Sequence, residues 1–469
     1  MERATFTYGE SADARASAER TVGRVKHRGV FVLAGATGLL ALVVSLTVAA
    51  AGSAVTAAAC TPGAPPVPNA AKIRAKYGGQ SITWISDGAV GKSLQRDQCL
   101  VARFNAATGI NVKATPHPVA SDAAYSQLAR NFSAKSSSID VMMLDIVWPG
   151  AFAPYLVNLK PALGAQAKLH AAGIIAADTV KGKLVAMPWF GDFGILYYRK
   201  DLLKKYGYSA PPTTWARLGV MAKKIQDGER AANPNFYGFV YQGNAYEGLT
   251  CDALEWLASS GAGTYINGGK VTINNPKAAA ILNLQKSWVG NITPRGVTTY
   301  QETESNNAFD AGDAAFLRNW PYAFATAQSS TIKGKVGTAV LPHSGKNPSV
   351  ATVGGWQMGV SKYSKHIGAA TELVRYLTSP GVEKFDAIFN SNVPTIPAVA
   401  KDKAVRKVNP WLNPQVAGVA RVARPSQFLG SKYQQGSTYI FQGINQILNG
   451  QDAKSVLPKI QSQLDSLVK

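Results

Sequence analysis

Ser81–Leu100 reads SITWISDGAVGKSLQRDQCL, and the strand–loop–helix order it sets recurs down the chain. Ile82, Trp84 and Ile85 mark a strand, while Leu94, Val101 and Phe104 recur at helical spacing just after it. Between them, Ser86–Ser93 (S-D-G-A-V-G-K-S) is one residue short of the phosphate-cradling pattern G-x-x-x-x-G-K-[ST]. The residue that departs is the first glycine, where Ser86 stands. A phosphate loop needs a backbone torsion there that only glycine adopts cheaply, so a nucleotide is the weaker reading. What remains is a polar loop at a helix start, a place to present amides and short side chains to a ligand.

Working outward, "INVKATPH" reads as a strand, "DAAYSQLARNFSA" as a helix, and "SIDVMMLDIVW" as a buried strand ending near Asp145. "GILYYRKDLLKKYG" runs from strand into helix and stops at Gly207. "PPTTWARLGVMAKKIQ" and "NNPKAAAILNLQKSWV" open on Thr or Asn caps with proline beside them. Strands alternating with helices predict an α/β protein with mostly parallel sheets, whose ligand crevices lie beyond the carboxyl ends of the strands. The chain is long enough for two lobes with separate cores.

Arg20, Arg24, Lys26 and Arg28 precede an uncharged run from Gly29 to Ala59. A basic stretch followed by an apolar one is an export signal, and this run is long enough to serve instead as an uncleaved membrane anchor. Cys60 closes the run in "AVTAAAC", which resembles the lipobox of bacterial lipoproteins except that Ala57 stands where leucine is usual. Residues 1–60 are therefore expected to be signal or anchor, with Cys60 a lipidation site, and residues 61–78, opening on "TPGAPPVPNA", an extended tether. Cys99 and Cys251 are then either a disulfide pair or two small buried thiols. The net charge is +22. The Lys and Arg residues are scattered on what read as solvated helix faces rather than clustered, which disfavours nucleic acid and suits a surface near an anionic membrane or wall.

In order and spacing, "FNAATGINVKA", "DVMMLDIVWPGAFAPYLVNL", "MPWFGDFGILYYRKDLLKKYG", "PPTTWARL", "YEGLTCDALEWL", "AFDAGDAAFLRNWPYAFA", "VGTAVLPH" and "VGGWQMGVSKYSKH" resemble the extracellular solute-binding proteins of ATP-binding-cassette importers. The likeness covers nearly all of residues 79–469 and is nearest to the trehalose/maltose binders, through "YEGL", "RNWPY" and "VGGW". It implies a two-lobe, type II periplasmic-binding-protein-like α/β fold with a hinge and an interlobe ligand cleft. Lobe 1 would comprise 79–190 and 340–378, and lobe 2 would comprise 191–339 and 379–469, with crossings in "PWFGDFG" and "TAVLPH". It also implies a monomer that binds a disaccharide or oligosaccharide and delivers it to permease subunits, with no cofactor.

A neutral sugar needs fixed acceptors and donors for its hydroxyls and aromatic rings for its C–H faces. Asp145 ends a buried strand, a costly place for an unpaired carboxylate, and Asp192 sits among rings at the first expected crossing. The resemblance makes both sugar-binding acids and matches Phe190, Trp320, Tyr322 and Trp356 to ring positions. It matches Arg424 to an arginine that donates to hydroxyls, and Ser86 and Asp87 to the polar opening loop. Gly355 would let backbone approach the ligand closely. Glu247 reads as a helix cap or a lysine partner, and Glu302 and Glu304 as a solvated helix face. The rival readings are a secreted glycosidase, which also needs rings and paired carboxylates, and a sugar-sensing membrane-anchored binding protein. No nucleophile elbow, triad or zinc pattern stands out, and the histidines are dispersed at 27, 117, 170, 343 and 366.

Overall fold

The computed structural model describes Cys60 and residues 63–88 and 90–468. The expected export signal or anchor over 1–59 lies outside the described residues. Among those described, no helix is long and apolar enough to cross a membrane.

Strands β1 (Ser81–Ser86), β2 (Asn111–Pro116), β3 (Val141–Asp145), β4 (Met187–Phe193), β5 (Ile195–Arg199), β6 (Tyr237–Val240), β7 (Ala314–Asn319), β8 (Val336–Ala339), β9 (Val350–Val360) and β10 (Ala420–Val422) form two sheets. One is six-stranded, in the order β10-β9-β3-β1-β2 with β4 also paired to β9; the other is four-stranded, in the order β8-β5-β7-β6. The chain passes from the first sheet to the second between Phe193 and Ile195, and returns between Ala339 and Val350. Gly194 marks the first passage, where an added Cβ would run into the Glu255 carboxylate and the Arg318 guanidinium.

The sheets are mixed, which corrects the expectation of mostly parallel ones. β1 pairs in parallel with β2 and β3, but β9 is antiparallel to β3 and β4, and β5 is antiparallel to β7 and β8. β9 and β5 enter their sheets from the opposite sheet rather than through a helical crossover, so nothing forces them parallel.

Period-two alternation sorts the first sheet's side chains. Ile82, Trp84, Val141 and Met143 fill one core, with Met187, Trp189, Met358 and Val360, while Ile85, Met142 and Leu144 face the larger one. Val382, Phe385 and Phe389 of the helix Pro380–Phe389 join the smaller core, so packing on the first sheet continues past residue 378. The caps read from sequence are in place, with Thr214 Oγ1 accepting from Arg217 N and Asn275 Oδ1 from Ala278 N.

The expected tether is partly folded onto the body. Helix α1 (Ala70–Tyr77) buries Ile73, its Arg74 side chain donates to Ala106 O at 2.6 Å, and Pro65 O accepts from the Tyr376 hydroxyl at 2.9 Å. Proline-rich composition suggests extension, but the apolar Val67 and Ile73 have a core to enter.

The cysteine expectations change at Cys60 and Cys99, while the buried thiol expected at Cys251 is found. Cys60 is disulfide-bonded to Cys99, which lies on helix α2 (Ser93–Thr108), and Cys251 is a free buried thiol. The Cys99–Cys251 pair does not form. The sulfur that a lipid thioether at Cys60 would need is taken. Joining positions separated by 39 in sequence, the bond stabilises by about 4 kcal/mol on a chain-entropy estimate. Reduction is therefore expected to lower the melting temperature, with a Cys60–Cys99 peptide in the non-reducing digest. A digest with Cys60 free would refute the pairing.

Candidate functional site

A cavity opens where strand ends from both sheets converge. Asp87 follows β1, Asp145 ends β3, Asp192 lies on β4, Trp320 follows β7, and Gly354, Gly355 and Trp356 belong to β9; all of them line it. Phe190, Tyr322 and Arg424 complete the sequence-predicted set in the wall. Ser86 is the exception: it is buried at the end of β1 and does not line the cavity. Gly355 is needed chiefly for its own sheet, because at φ +130° an added Cβ would stand 2.7 Å from Phe190 O on the paired strand.

The loop after β1 wraps around acids rather than an anion. Arg96 of α2 is fully buried beneath it and donates to Asp87 (3.2 Å), Asp97 (2.8 Å) and Asp386 (3.1 Å) while stacking on Trp189. One guanidinium among three carboxylates leaves an acidic surplus. Burial pushes the Asp97 carboxyl up to about 7, with Arg96 opposing and Asp87 reinforcing the shift. The Gly88 amide is bonded to Asp97 and the Lys92 amide to Asn390, so these two groups of the would-be phosphate cradle already have protein acceptors. Asp87 is held in place by Ser93 Oγ at 2.6 Å and by Arg96.

Across the cavity, Arg424 joins two acids that sequence kept 102 residues apart. Its guanidinium donates twice to Asp145, at 2.9 and 2.5 Å, and at 2.8 Å to Glu247 at the head of the helix Glu247–Ser259. Glu247 is therefore neither a simple cap nor a lysine partner. Its carboxylate also accepts from the Tyr433 hydroxyl and from Ser437 Oγ, and burial raises its pKa against the pull of Arg424. Arg424 Nε is buried with no protein partner, as is Asp192 Oδ1. Burial, with the Asp87, Asp386 and Asp145 carboxylates behind it, holds Asp192 well above the usual carboxylate range.

Two indoles frame the acids. Trp320 lies under the Arg318 guanidinium at 4.0 Å and donates from Nε1 to Glu302 at 3.2 Å. Glu302 thus belongs to the cavity wall, not to a solvated face, whereas Glu304 is exposed and closes a capping box with Gln301. Trp356 meets Trp148 edge-on and stacks with His117, whose ring centroid is 5.0 Å away. Sequence reasoning passed over His117, Ser93, Tyr246 and Asn392 in this wall. The "YEGL" signature contained Tyr246 and Glu247 without revealing their direction. Fixed carboxylates, one guanidinium and two indoles suit a neutral ligand rich in hydroxyls and C–H faces, and disfavour an anion.

A family profile described as bacterial extracellular solute-binding protein matches residues 92–384. A probable ABC transporter-binding protein of Deinococcus radiodurans is 46% identical over 363 residues, which is 76% of this chain and 86% of that protein. The maltose-bound MalE3 of T. maritima superposes with a TM-score of 0.79 at 37% identity, covering 83% of this chain and all of that one. A solute-binding protein of Agrobacterium vitis with bound D-mannitol is similar in fold, with a TM-score of 0.70 at 21% identity, covering 82% of this chain and 97% of that one.

Proposed function

This chain belongs to the bacterial extracellular solute-binding proteins, a family of two-lobe α/β binding proteins, and from that premise we propose that it captures a disaccharide or short oligosaccharide of the maltose or trehalose kind for an ATP-binding-cassette importer. The observation that carries the ligand class is the joint placement of Asp87, Asp192 and the Asp145–Arg424 pair with Trp320 and Trp356 around one cavity. The acids accept hydroxyl protons, and the indoles cover the sugar's apolar faces. The match to a maltose-bound relative at 37% identity supports the same class.

In this reading the residue set 79–190 with 340–378 moves as one lobe and 191–339 with 379–469 as the other, except that the helix Pro380–Phe389 travels with the first because it shares that core. The protein works outside the membrane as a monomer, is held near it by the apolar run over 29–59, and hands the sugar to a permease. No catalytic step is assigned.

A thermal-shift screen of the oxidised protein tests the reading. Maltose, trehalose and maltotriose should each raise the melting temperature, because a ligand that binds only the folded state stabilises it. Sugar phosphates and amino acids should not. A shift with an amino acid and none with any sugar would overturn the ligand class, and sugar cleavage in the same tubes would move the protein among the glycosidases.

A further inference from the structure

His117 stands immediately after β2, with its backbone amide donating to Ser86 O at 2.9 Å. Its ring Nδ1 lies 2.5 Å from Pro118 O. A carbonyl oxygen can only accept, so Nδ1 carries a proton, and in the neutral form of the ring Nε2 presents a lone pair. That Nε2 is buried, has no protein partner, and belongs to a side chain lining the cavity. The charged group facing it is Asp87, whose Oδ1 is 3.8 Å away. Asp87 Oδ2 is already occupied by Ser93 and Arg96. With the ring neutral, Nε2 and Asp87 Oδ1 are two acceptors, which cannot bond each other, and each then wants a donor from outside the protein. The imidazole is buried and packs on Trp356 with the planes 25° apart.

Resting on the carbohydrate reading above, we propose that His117 is a specificity-determining ligand contact, its Nε2 accepting one hydroxyl of a neighbouring pair whose other hydroxyl is taken by Asp87 Oδ1. The pair of acceptors selects a ligand edge that offers two donors side by side. A ligand with an anionic or ether oxygen at that edge would leave both acceptors unpaired in a buried place, which is the stronger form of discrimination.

Calorimetry tests this with the best sugar from the screen and its monodeoxy analogues, on wild type, His117→Phe and His117→Gln. Phenylalanine keeps a ring on Trp356 and deletes the acceptor, and glutamine returns an amide oxygen near the Nε2 position. His117→Phe should bind about tenfold to thirtyfold more weakly, and His117→Gln should recover part of the loss. One monodeoxy analogue should lose affinity for wild type but show no further loss with His117→Phe, a coupling that a packing role would not produce. Equal affinity in wild type and His117→Phe overturns the assignment. So does a loss in His117→Phe that is the same for every analogue. Wild type that binds no saccharide at all overturns the functional reading and this assignment with it.

Discussion

Arg424→Met is expected to weaken sugar binding more than a hundredfold and to lower folding stability by about 3–5 kcal/mol, the cost of breaking a buried ion pair by removing one partner. Methionine fills similar space, so the loss is mainly electrostatic. The guanidinium holds Asp145 bidentately and Glu247 through the same nitrogen that reaches Asp145. Without it, two buried carboxylates face each other, and Asp145 loses the partner that fixes its orientation in the cavity wall.

The defect should depend on pH with a definite sign. Glu247 already sits above the usual carboxylate range through burial and the nearby Asp145 charge, and Arg424 is what pulls it down. Removing Arg424 raises it further, so the folded state binds a proton that the unfolded state releases. The stability this contributes is fully present below the unfolded carboxylate value and is lost as pH rises from there through the raised folded value. Denaturant melts of Arg424→Met should show the largest deficit near pH 8 and a smaller one near pH 5. Adding Asp145→Asn should restore part of the stability but not the binding. A variant with wild-type melts at both pH values would contradict the bridging role.

What sequence could and could not reveal follows from the range of each interaction. β1, β3 and the capped helices were legible because alternation and caps are local, and Asp145, Trp320 and Arg424 stood out because whole signatures kept their order. The partnership of Asp145 with Arg424 spans 279 residues, and no local pattern encodes which acid meets which base. Glu302 was misread for a related reason. Its helix, Glu302–Asp310, is polar over its first turn, and only the packing of Trp320 turns one of two neighbouring glutamates inward and leaves Glu304 outside. Cys60 was misread because a local signature and a tertiary bond competed for one sulfur, and its partner became visible only once α2 was placed. The mixed sheets were hidden because helix–strand alternation says nothing about which strands arrive from the other sheet.

Trp320→Ala and Asp192→Ala should each weaken binding sharply with little change in fold, while Lys204→Ala, an exposed helix residue, should change nothing measurable. Trp320 is only half-buried and lies over the bare backbone of Gly354, where an added Cβ would come within 3.2 Å of the indole. Truncation removes a ring face of about 2 kcal/mol, roughly thirtyfold in affinity, and leaves the Glu302 carboxyl without the indole donor. Asp192 has an oxygen shut away from solvent with no protein donor, so the protein loses little when it goes, but a ligand hydroxyl loses its acceptor. A hydrogen bond to a charged group contributes about 1.5–3 kcal/mol, so the expected loss is about tenfold to more than a hundredfold. Asp192→Asn separates acceptor from charge: the amide keeps an oxygen there and drops the charge, so the affinity it retains over alanine reads the acceptor alone. Calorimetry with maltose, trehalose and longer glucans reads all four variants. Wild-type affinity in both alanine variants would remove this cavity as the sugar site, and wild-type cleavage of a glycosidic bond abolished by Asp192→Ala would make the protein an enzyme.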